Sequence, residues 1–347
     1  MKKTDKIYIA GHNGLVGSAI LKHLKNKGYT NFVCFSHDEL DLTNQVKVEQ
    51  MFAKEKPDYV VLAAAKVGGI MANNTYRADF IYENLQIQNN IIHSAYLYGV
   101  KKLLFLGSSC IYPKNAKQPI KEEYLLTDEL EYTNEPYGVA KIAGLKMCES
   151  YNLQYGTNFI SVMPTNLYGN NDNFDLEKSH VMPALIRKMH LAKLLSKNKF
   201  DEVCKDLGVA NINEAREYLA KFGVSDKSVE IWGSGRPLRE FLHVDDMAAA
   251  SVFVLENVDF KDICGNGEIK NTHINVGFGS DISIKDLAYM IKDIVGFGGE
   301  IVFSAAKPDG TMKKLMDSSK LNKLGFIPKI RLEEGIKSVY ENYKEKF

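Results

Sequence analysis

Ile7-Tyr8-Ile9-Ala10 is a short apolar run that leads into Gly11-His12-Asn13-Gly14-Leu15-Val16-Gly17, after which Val16, Ala19, Ile20 and Leu24 recur at helical spacing. A strand, a glycine turn and a helix start in that order let the backbone approach a dinucleotide pyrophosphate, whose charge meets the free N–H groups of the helix N-terminus. The alternation continues downstream. Apolar runs near Ile7–Ala10, Phe32–Phe35, Tyr59–Leu62, Leu103–Leu106 and Phe159–Met163 alternate with amphipathic segments up to about residue 168. That is the signature of parallel strands joined by helices. The expected fold class is therefore α/β, a Rossmann-type doubly wound parallel sheet, with a smaller C-terminal α/β domain after Gly169 where the alternation becomes less regular. Helix starts carry their own signals: Thr43 as an N-cap before Gln45, and Asn73-Asn74-Thr75 before a long helix through Asn84, Asn89 and Tyr98. A ligand of such a sheet lies beyond the carboxyl ends of the strands, where Gly11, Ala63, Ser108 and Pro164 fall.

The 347 residues are 45% hydrophobic, ample for a buried core in one large or two interlocked domains. With 44 basic and 43 acidic residues the net charge is +1, so nothing points to nucleic acid or an anionic membrane as a bulk partner. Any phosphate recognition must be local. Cys34, Cys110, Cys148, Cys204 and Cys264 are odd in number, widely spaced and form no C-x-x-C pair. That fits a cytoplasmic protein better than a disulfide framework or a metal site, and no metal is expected. No stretch approaches the ~20 apolar residues of a membrane span, and the run after Met1–Asp5 is too short for a signal peptide.

The chemistry is expected from Asn134-Glu135-Pro136-Tyr137-Gly138-Val139-Ala140-Lys141. Pro136 suits the first turn of a helix, which puts Tyr137 and Lys141 one turn apart on one face. A neighbouring ammonium favours phenolate and lowers a tyrosine pKa from ~10 toward working pH, making the phenol a usable general acid for reducing a ketone. A surface Tyr beside a surface Lys has the same spacing, so other segments must decide. One of them is Leu103-Leu104-Phe105-Leu106-Gly107, a buried strand ending in Ser108-Ser109-Cys110. Ser108 there is placed to donate to the carbonyl oxygen that Tyr137 would protonate.

Glycine turn, strand-end Ser and Tyr-x-x-x-Lys in this order resemble the extended short-chain dehydrogenase/reductase family. Longer strings are similar to its GDP-L-fucose synthase group: Leu106 to Lys114, Asn134 to Tyr137, Ser161 to Gly169, Ser179-His180-Val181 and Arg239 to Met247. The likeness covers nearly the whole chain except about residues 193–228. It implies NADPH-dependent reduction at C4, with 3,5-epimerisation, of a GDP-4-keto-6-deoxy-sugar. It also implies that residues 1–168 and about 239–275 bind the dinucleotide, while 169–238 and about 276–347 bind the sugar nucleotide. Within the departing stretch, Phe200, Val203, Leu207 and then Ala215, Tyr218, Leu219 and Phe222 stand at helical spacing around Gly208-Val209-Ala210-Asn211. This is an inserted helical hairpin that either caps the surface or reshapes the sugar pocket or a subunit contact.

By the resemblance, Ser108, Tyr137 and Lys141 carry the reduction, and Lys141 also holds the nicotinamide ribose. A 4-ketone acidifies the hydrogens on C3 and C5, and the resemblance gives the base and acid for inverting those centres as Cys110 and His180. Read alone, these are a buried small hydrophobe and a surface histidine. Cofactor contacts are expected from the turn Gly11–Gly17, Ser36, His37, Asp41 and Leu42 at the adenine, Ala63-Ala64-Ala65, Leu106, Gly107, Ser109, Pro164-Thr165-Asn166-Leu167 at the nicotinamide, and His180. A turn role suits Asp41 equally. Cys34-Phe35-Ser36-His37 offers neither the acid that marks NAD nor the arginine that marks NADP, and Asn13 stands where this group usually has arginine. NADP(H) is expected, with NADH also accepted.

Lys188, Arg239 and Arg236 supply charge for the nucleotide diphosphate, and Trp232 either borders the substrate or belongs to the core. Asp309, in Lys307-Pro308-Asp309-Gly310-Thr311, is expected at the nucleotide ribose or in a plain turn. The expected partners are a GDP-sugar and, by the resemblance, a second copy in a homodimer. Competing readings are a C4 reductase of a GDP-4-keto-6-deoxy-heptose with little or no epimerase activity, a nucleotide-sugar dehydratase or 4-epimerase, and a non-catalytic dinucleotide-binding sensor.

Overall fold

The computed structural model describes residues 1–265, 267–304 and 309–346. In chain order the first half holds β1 (Ile7–Ala10), α1 (Leu15–Asn26), β2 (Phe32–Val33), α2 (Gln45–Glu55), β3 (Tyr59–Leu62), α3 (Ile70–Thr75), α4 (Arg77–Leu97), β4 (Lys102–Leu106), α5 (Glu135–Tyr155) and β5 (Phe159–Pro164). There follow β6 (Asn166–Tyr168), α6 (Val181–Ser196), α7 (Phe200–Leu207), α8 (Ile212–Ala220), β7 (Ser228–Trp232), β8 (Leu238–His243), α9 (Val244–Asn257) and α10 (Phe260–Ile263). The remainder is β9 (Ile274–Val276), β10 (Asp281–Ser283), α11 (Ile284–Val295), β11 (Glu300–Ser304), β12 (Lys313–Lys314), α12 (Ser319–Leu324) and α13 (Leu332–Lys346). Two compact units result. The first is Met1–Leu167, Phe241–Gly279 and Leu315–Lys329; the second is Tyr168–Glu240, Ser280–Lys314 and Ile330–Phe347.

The first unit is built on a six-stranded, all-parallel sheet in the order β2-β1-β3-β4-β5-β9. Successive side chains on a strand point to opposite faces, and a parallel sheet covered on both sides buries both sets. Tyr8, Ala10, Val60, Leu62, Leu103 and Phe105 pack with Phe52 of α2, Ile91 of α4 and Leu145 of α5. Their neighbours Ile7, Ile9, Val61, Leu104 and Leu106 pack on the opposite face with Ile20 and Leu24 of α1 and Met247 of α9. Fully burying each Val, Leu, Ile or Phe among them contributes ~1.5–3 kcal/mol. The strand order reverses at β1 and β3, and the crevice beyond their carboxyl ends is where this architecture takes ligands.

Local expectations needed several corrections. β2 stops at Val33, so Cys34 and Phe35 leave the ladder at the sheet edge. Thr43 does not cap α2, because its hydroxyl and N–H both donate to Asp41 Oδ1; Asn44 caps instead, accepting from Lys47 N–H at 3.1 Å. Asn73-Asn74-Thr75 do precede the long helix α4 but form the end of the short α3, the Asn73 amide tied back to the carbonyls of Gly68 and Gly69, and Tyr76 stands at the N-cap of α4. Leu315–Lys329 sits with the first unit, not with the C-terminal remainder as the sequence suggested. Asn275 explains the placement by donating to the carbonyls of Ile120 and Asp317.

In the second unit β7 pairs in parallel with β11, and β8 pairs antiparallel with β10 and parallel with β12. The expected helical hairpin is present as α7 and α8. Gly208 ends α7 at φ +69°, and the Asn211 side chain opens α8 by accepting from the N–H groups of Asn213 and Glu214.

Candidate active site

The glycine turn is shaped for a dinucleotide. Gly14 caps α1 with no side-chain hydrogen bond, and the first turn carries no acidic residue, so its N–H groups and the helix dipole face an anion unopposed. A Cβ on Gly17 would stand 2.1 Å from Gly11 O, and one on Gly11, whose φ is +86°, 2.7 Å from Ala64 N. The turn is thus pressed between the start of α1, which carries Leu15 and Val16, and the end of β3, where Ala63 N–H donates to Ala10 O. Ala65 follows Ala64 there, and His12 and Asn13 complete the turn. These residues fit a dinucleotide cofactor.

At the other end of the expected cofactor track, Asp41 Oδ1 holds its own turn through Thr43, and Leu42 O accepts from Asn90. Ser36 donates from both N–H (2.7 Å) and Oγ (2.8 Å) to Glu39 Oε2. The Cys34–His37 stretch carries no acid of its own, but the turn that follows brings the Glu39 carboxylate back to it. Those two hydrogen bonds, with the charge of His12 in support, lower the Glu39 pKa. Glu39 was missed because it stands three residues past Ser36; its lag of about twenty residues behind the glycine turn was the available signal. His37 is exposed beside it.

Beyond β4, the Ser108 side chain accepts from Cys110 N–H at 3.2 Å and lies beside the Tyr137 phenol, where it favours the ionised form. Tyr137 is near the start of α5, which begins at Glu135 with Pro136 in its first turn. The helix can come this close because residue 138 is glycine: a Cβ there would stand 2.8 Å from Cys110 O. Lys141, one turn on and 3% exposed, donates to Leu106 O at 2.9 Å, with its Nζ 5.7 Å from the Tyr137 ring centroid. Gly107 N–H donates to Val162 O, Ser109 is buried under the turn, and Thr165 N–H donates to Val276 O just past Pro164. Asn166 and Leu167 begin β6.

The expected lowering of the Tyr137 pKa is overturned. Burial raises it, Cys110 adds to the rise, and the Ser108 hydrogen bond offsets only part. The ring keeps some exposed area, but the protein closes around the phenol. Lys141 does not reverse this because burial acts on it too, holding its pKa down at about 8. For a reduction this is the useful state, since a neutral phenol is the form that can give a proton.

Beside this trio, Cys110 Sγ accepts from Asn134 Nδ2 at 3.5 Å. The Asn134 carbonyl oxygen is buried without a hydrogen-bond partner. Asn134 has no role legible in the sequence beyond its place just before the tyrosine helix. A cavity of about 360 Å³ lined by Gln45, Glu49, Asn89, Asn90, His93, Ser94 and Met147 contains none of the site residues.

The remaining candidates belong to the second unit. His180 caps α6 through its backbone, its ring accessible yet crowded enough by protein to lower its pKa. Lys188, 9% exposed, donates to Phe222 O (2.8 Å) and Glu230 O (3.2 Å), and burial holds its pKa at about 8. Trp232 is 52% exposed at the end of β7, which excludes the core role. Asp309 accepts from Ser234 N–H (2.8 Å) and Ser234 Oγ (2.7 Å), so the loop after Trp232 is fastened to it; those hydrogen bonds lower its pKa. Arg236 donates to Ser234 Oγ, and Arg239 to the carbonyls of Leu238 and Thr311. Lys307 and Pro308 of the expected ribose loop lie outside the described residues.

The chain is 55% identical over 345 residues to a putative GDP-L-fucose synthase 2 of Arabidopsis thaliana, covering 99% of this chain and 93% of that protein. Among solved structures it is similar to a GDP-6-OMe-4-keto-L-xylo-heptose reductase from C. jejuni, with a TM-score of 0.97, 54% identity and coverage of 100% of this chain and 99% of that one. A GDP-mannoheptose C4 reductase from Campylobacter jejuni with NADP bound gives a TM-score of 0.90 at 53% identity, covering 99% of both chains. Residues 7–277 match the NAD dependent epimerase/dehydratase family. With that match spanning the glycine turn, Ser108, Tyr137 and Lys141, the chain belongs to the NAD dependent epimerase/dehydratase family.

Proposed function

We propose that the protein is an NADP-dependent enzyme that reduces C4 of a GDP-4-keto-6-deoxy-sugar after epimerising C3 and C5. The observation that carries this reading is the trio beyond β4: Ser108 beside a Tyr137 whose phenol burial keeps protonated, with the buried Lys141 one turn away. The turn Gly11–Gly17, Ala63–Ala65 and the end of β5 would hold the cofactor, which when bound supplies the hydride. Tyr137 then gives its proton to the C4 oxygen while the Ser108 hydroxyl orients the same oxygen. The Lys141 ammonium favours the phenolate left behind.

For the epimerisation, Cys110 is the proposed base. The Asn134 amide beside Sγ is placed to stabilise a thiolate. His180 is the proposed acid; burial pulls its pKa below the usual imidazole value, so the protonated form it needs is disfavoured in the free protein. Lys188, Trp232, Arg239 and Asp309 are proposed to take the nucleotide, in line with their gathering in the second unit. NADPH is the main reductant, and acceptance of NADH is supported by Glu39, a carboxylate able to meet a ribose 2'-hydroxyl. A homodimer is proposed through α4 and α5, whose exposed Tyr82, Leu97, Leu153 and Tyr155 give it an apolar surface to bury. The cytoplasm is the proposed compartment, supported by five free cysteines.

A second reading is favoured by the TM-score of 0.97 to a heptose reductase: reduction of a GDP-4-keto-heptose with little or no epimerisation. One experiment separates the two. GDP-4-keto-6-deoxy-mannose and its heptose counterpart are each supplied with NADPH in D2O. Rapid oxidation with deuterium at C3 and C5 of the hexose supports the first reading; faster turnover of the heptose without deuterium supports the second. Absence of NADPH oxidation with both would return the protein to a non-catalytic sensor.

A further inference from the structure

The hairpin of α7 and α8 is fastened to adjacent residues of α6 at two places, beside its turn and just past its end. Arg187 donates from Nε to Asp206 Oδ1 (2.9 Å) and from Nη2 to Asp206 O (2.8 Å) at the end of α7, with Nη1 reaching Phe174 O (3.2 Å). The Asp206 side chain is 1% exposed, and its other oxygen accepts the Tyr343 hydroxyl of α13. The next residue along, Lys188, donates to Phe222 O just past α8 and to Glu230 O in β7. An ammonium has three donors. Two are fixed here by backbone carbonyls, which sets the direction of the third.

A hairpin that only covered the surface would have no need of the Lys188 ammonium. It would also not require a buried carboxylate, since an ion pair out of water is a weak source of stability and costly to leave half-paired. The helix so held carries Lys188, and His180 is its N-cap. We propose that the inserted hairpin is a positioning clamp on α6, with Asp206 as its positioning residue, and that it aims Lys188 at the diphosphate of a nucleotide ligand. This rests on the reading that the second unit takes a GDP-sugar.

The test uses the full chain and GDP as the probe. Asp206→Asn keeps the shape and removes the charge that holds Arg187. Its Kd for GDP and its KM for the nucleotide sugar should rise about tenfold or more, while its Kd for NADPH, bound by the first unit, stays within about twofold. Lys188→Met should weaken GDP similarly, and the double variant should be no weaker than Lys188→Met alone, because both changes remove one interaction. Tyr343→Phe, which deletes only a hydroxyl, should shift the GDP Kd in the same direction by a few fold and serves if Asp206→Asn does not fold. GDP affinity equal to wild type in a variant with lowered Tm, or additive losses in the double variant, would overturn the clamp. Lack of GDP binding by the wild type would instead remove the nucleotide reading itself.

Discussion

Replacing Gly17 with alanine puts a methyl group where the glycine turn has no room. The added Cβ would stand 2.1 Å from Gly11 O, 2.7 Å from Gly11 C and 3.1 Å from His12 Cα, and real Cβ contacts essentially never fall under 3.0 Å. All three atoms are backbone or Cα atoms of the turn, so no rotamer relieves the clash. Gly11 has little room to retreat on the side of β3, where the backbone of Ala63 and Ala64 lies so close that a Cβ built on Gly11 would stand 2.7 Å from Ala64 N. Overpacking of this kind costs ~1–3 kcal/mol. If the turn holds, the cost appears as lost stability and a lower Tm of the free protein. If the turn moves, its N–H groups leave the pyrophosphate and the cost appears in affinity, where ~1.4 kcal/mol per decade makes it a rise of ~5- to ~150-fold in the Kd for NADPH. Thermal denaturation of the free protein and a fluorescence titration with NADPH read both channels. The reasoning is refuted if neither Tm nor Kd moves, since the strain would then have gone nowhere.

Tyr137→Phe should lower kcat for reduction by ~10²–10⁴, the usual worth of a general acid, with the NADPH Kd changed little; a kcat within about threefold of wild type would remove Tyr137 from the chemistry. Cys110→Ser should reduce deuterium incorporation at C3 and C5 more than NADPH oxidation, and equal loss of both would contradict its role as the base. Burial holds the Lys141 pKa at about 8 against an ordinary value near 10.5. Between those values the unfolded chain binds more protons than the folded one, so stability from this group rises with pH. Below about pH 8 both states are protonated and the full cost of burying the charge is present. Lys141→Met should therefore raise the Tm of the free protein at pH 7, by an advantage that fades from about pH 8 toward pH 10.5; an advantage independent of pH would mean the ammonium is not desolvated.

Part of the site was legible because it is local. Tyr137 and Lys141 are one helical turn apart in any helix that contains both, and the strand into Ser108 reads from a run of buried residues. The helix caps were less legible: Thr43, Asn44 and Asp41 are all good capping residues, and the choice of Asn44 follows from Asp41 taking the Thr43 hydroxyl. Glu39 escaped notice because a hydrogen bond from Ser36 depends on how the chain turns after β2, not on strand pattern.

By itself the sequence determined the α/β alternation, the glycine turn between β1 and α1, and the helical hairpin whose turn runs from Gly208 to Asn211. These follow from side-chain period and from backbone conformations that few residues tolerate, both decided within a few residues of chain. Only the tertiary structure decided that the Tyr137 pKa rises, that Gly138 lets α5 press on Cys110, that Leu315–Lys329 joins the first unit, and that Lys188 is taken up by Phe222 and Glu230. Desolvation and hydrogen-bond partners are set by whatever distant segment packs alongside, and that is written in no single window of the sequence.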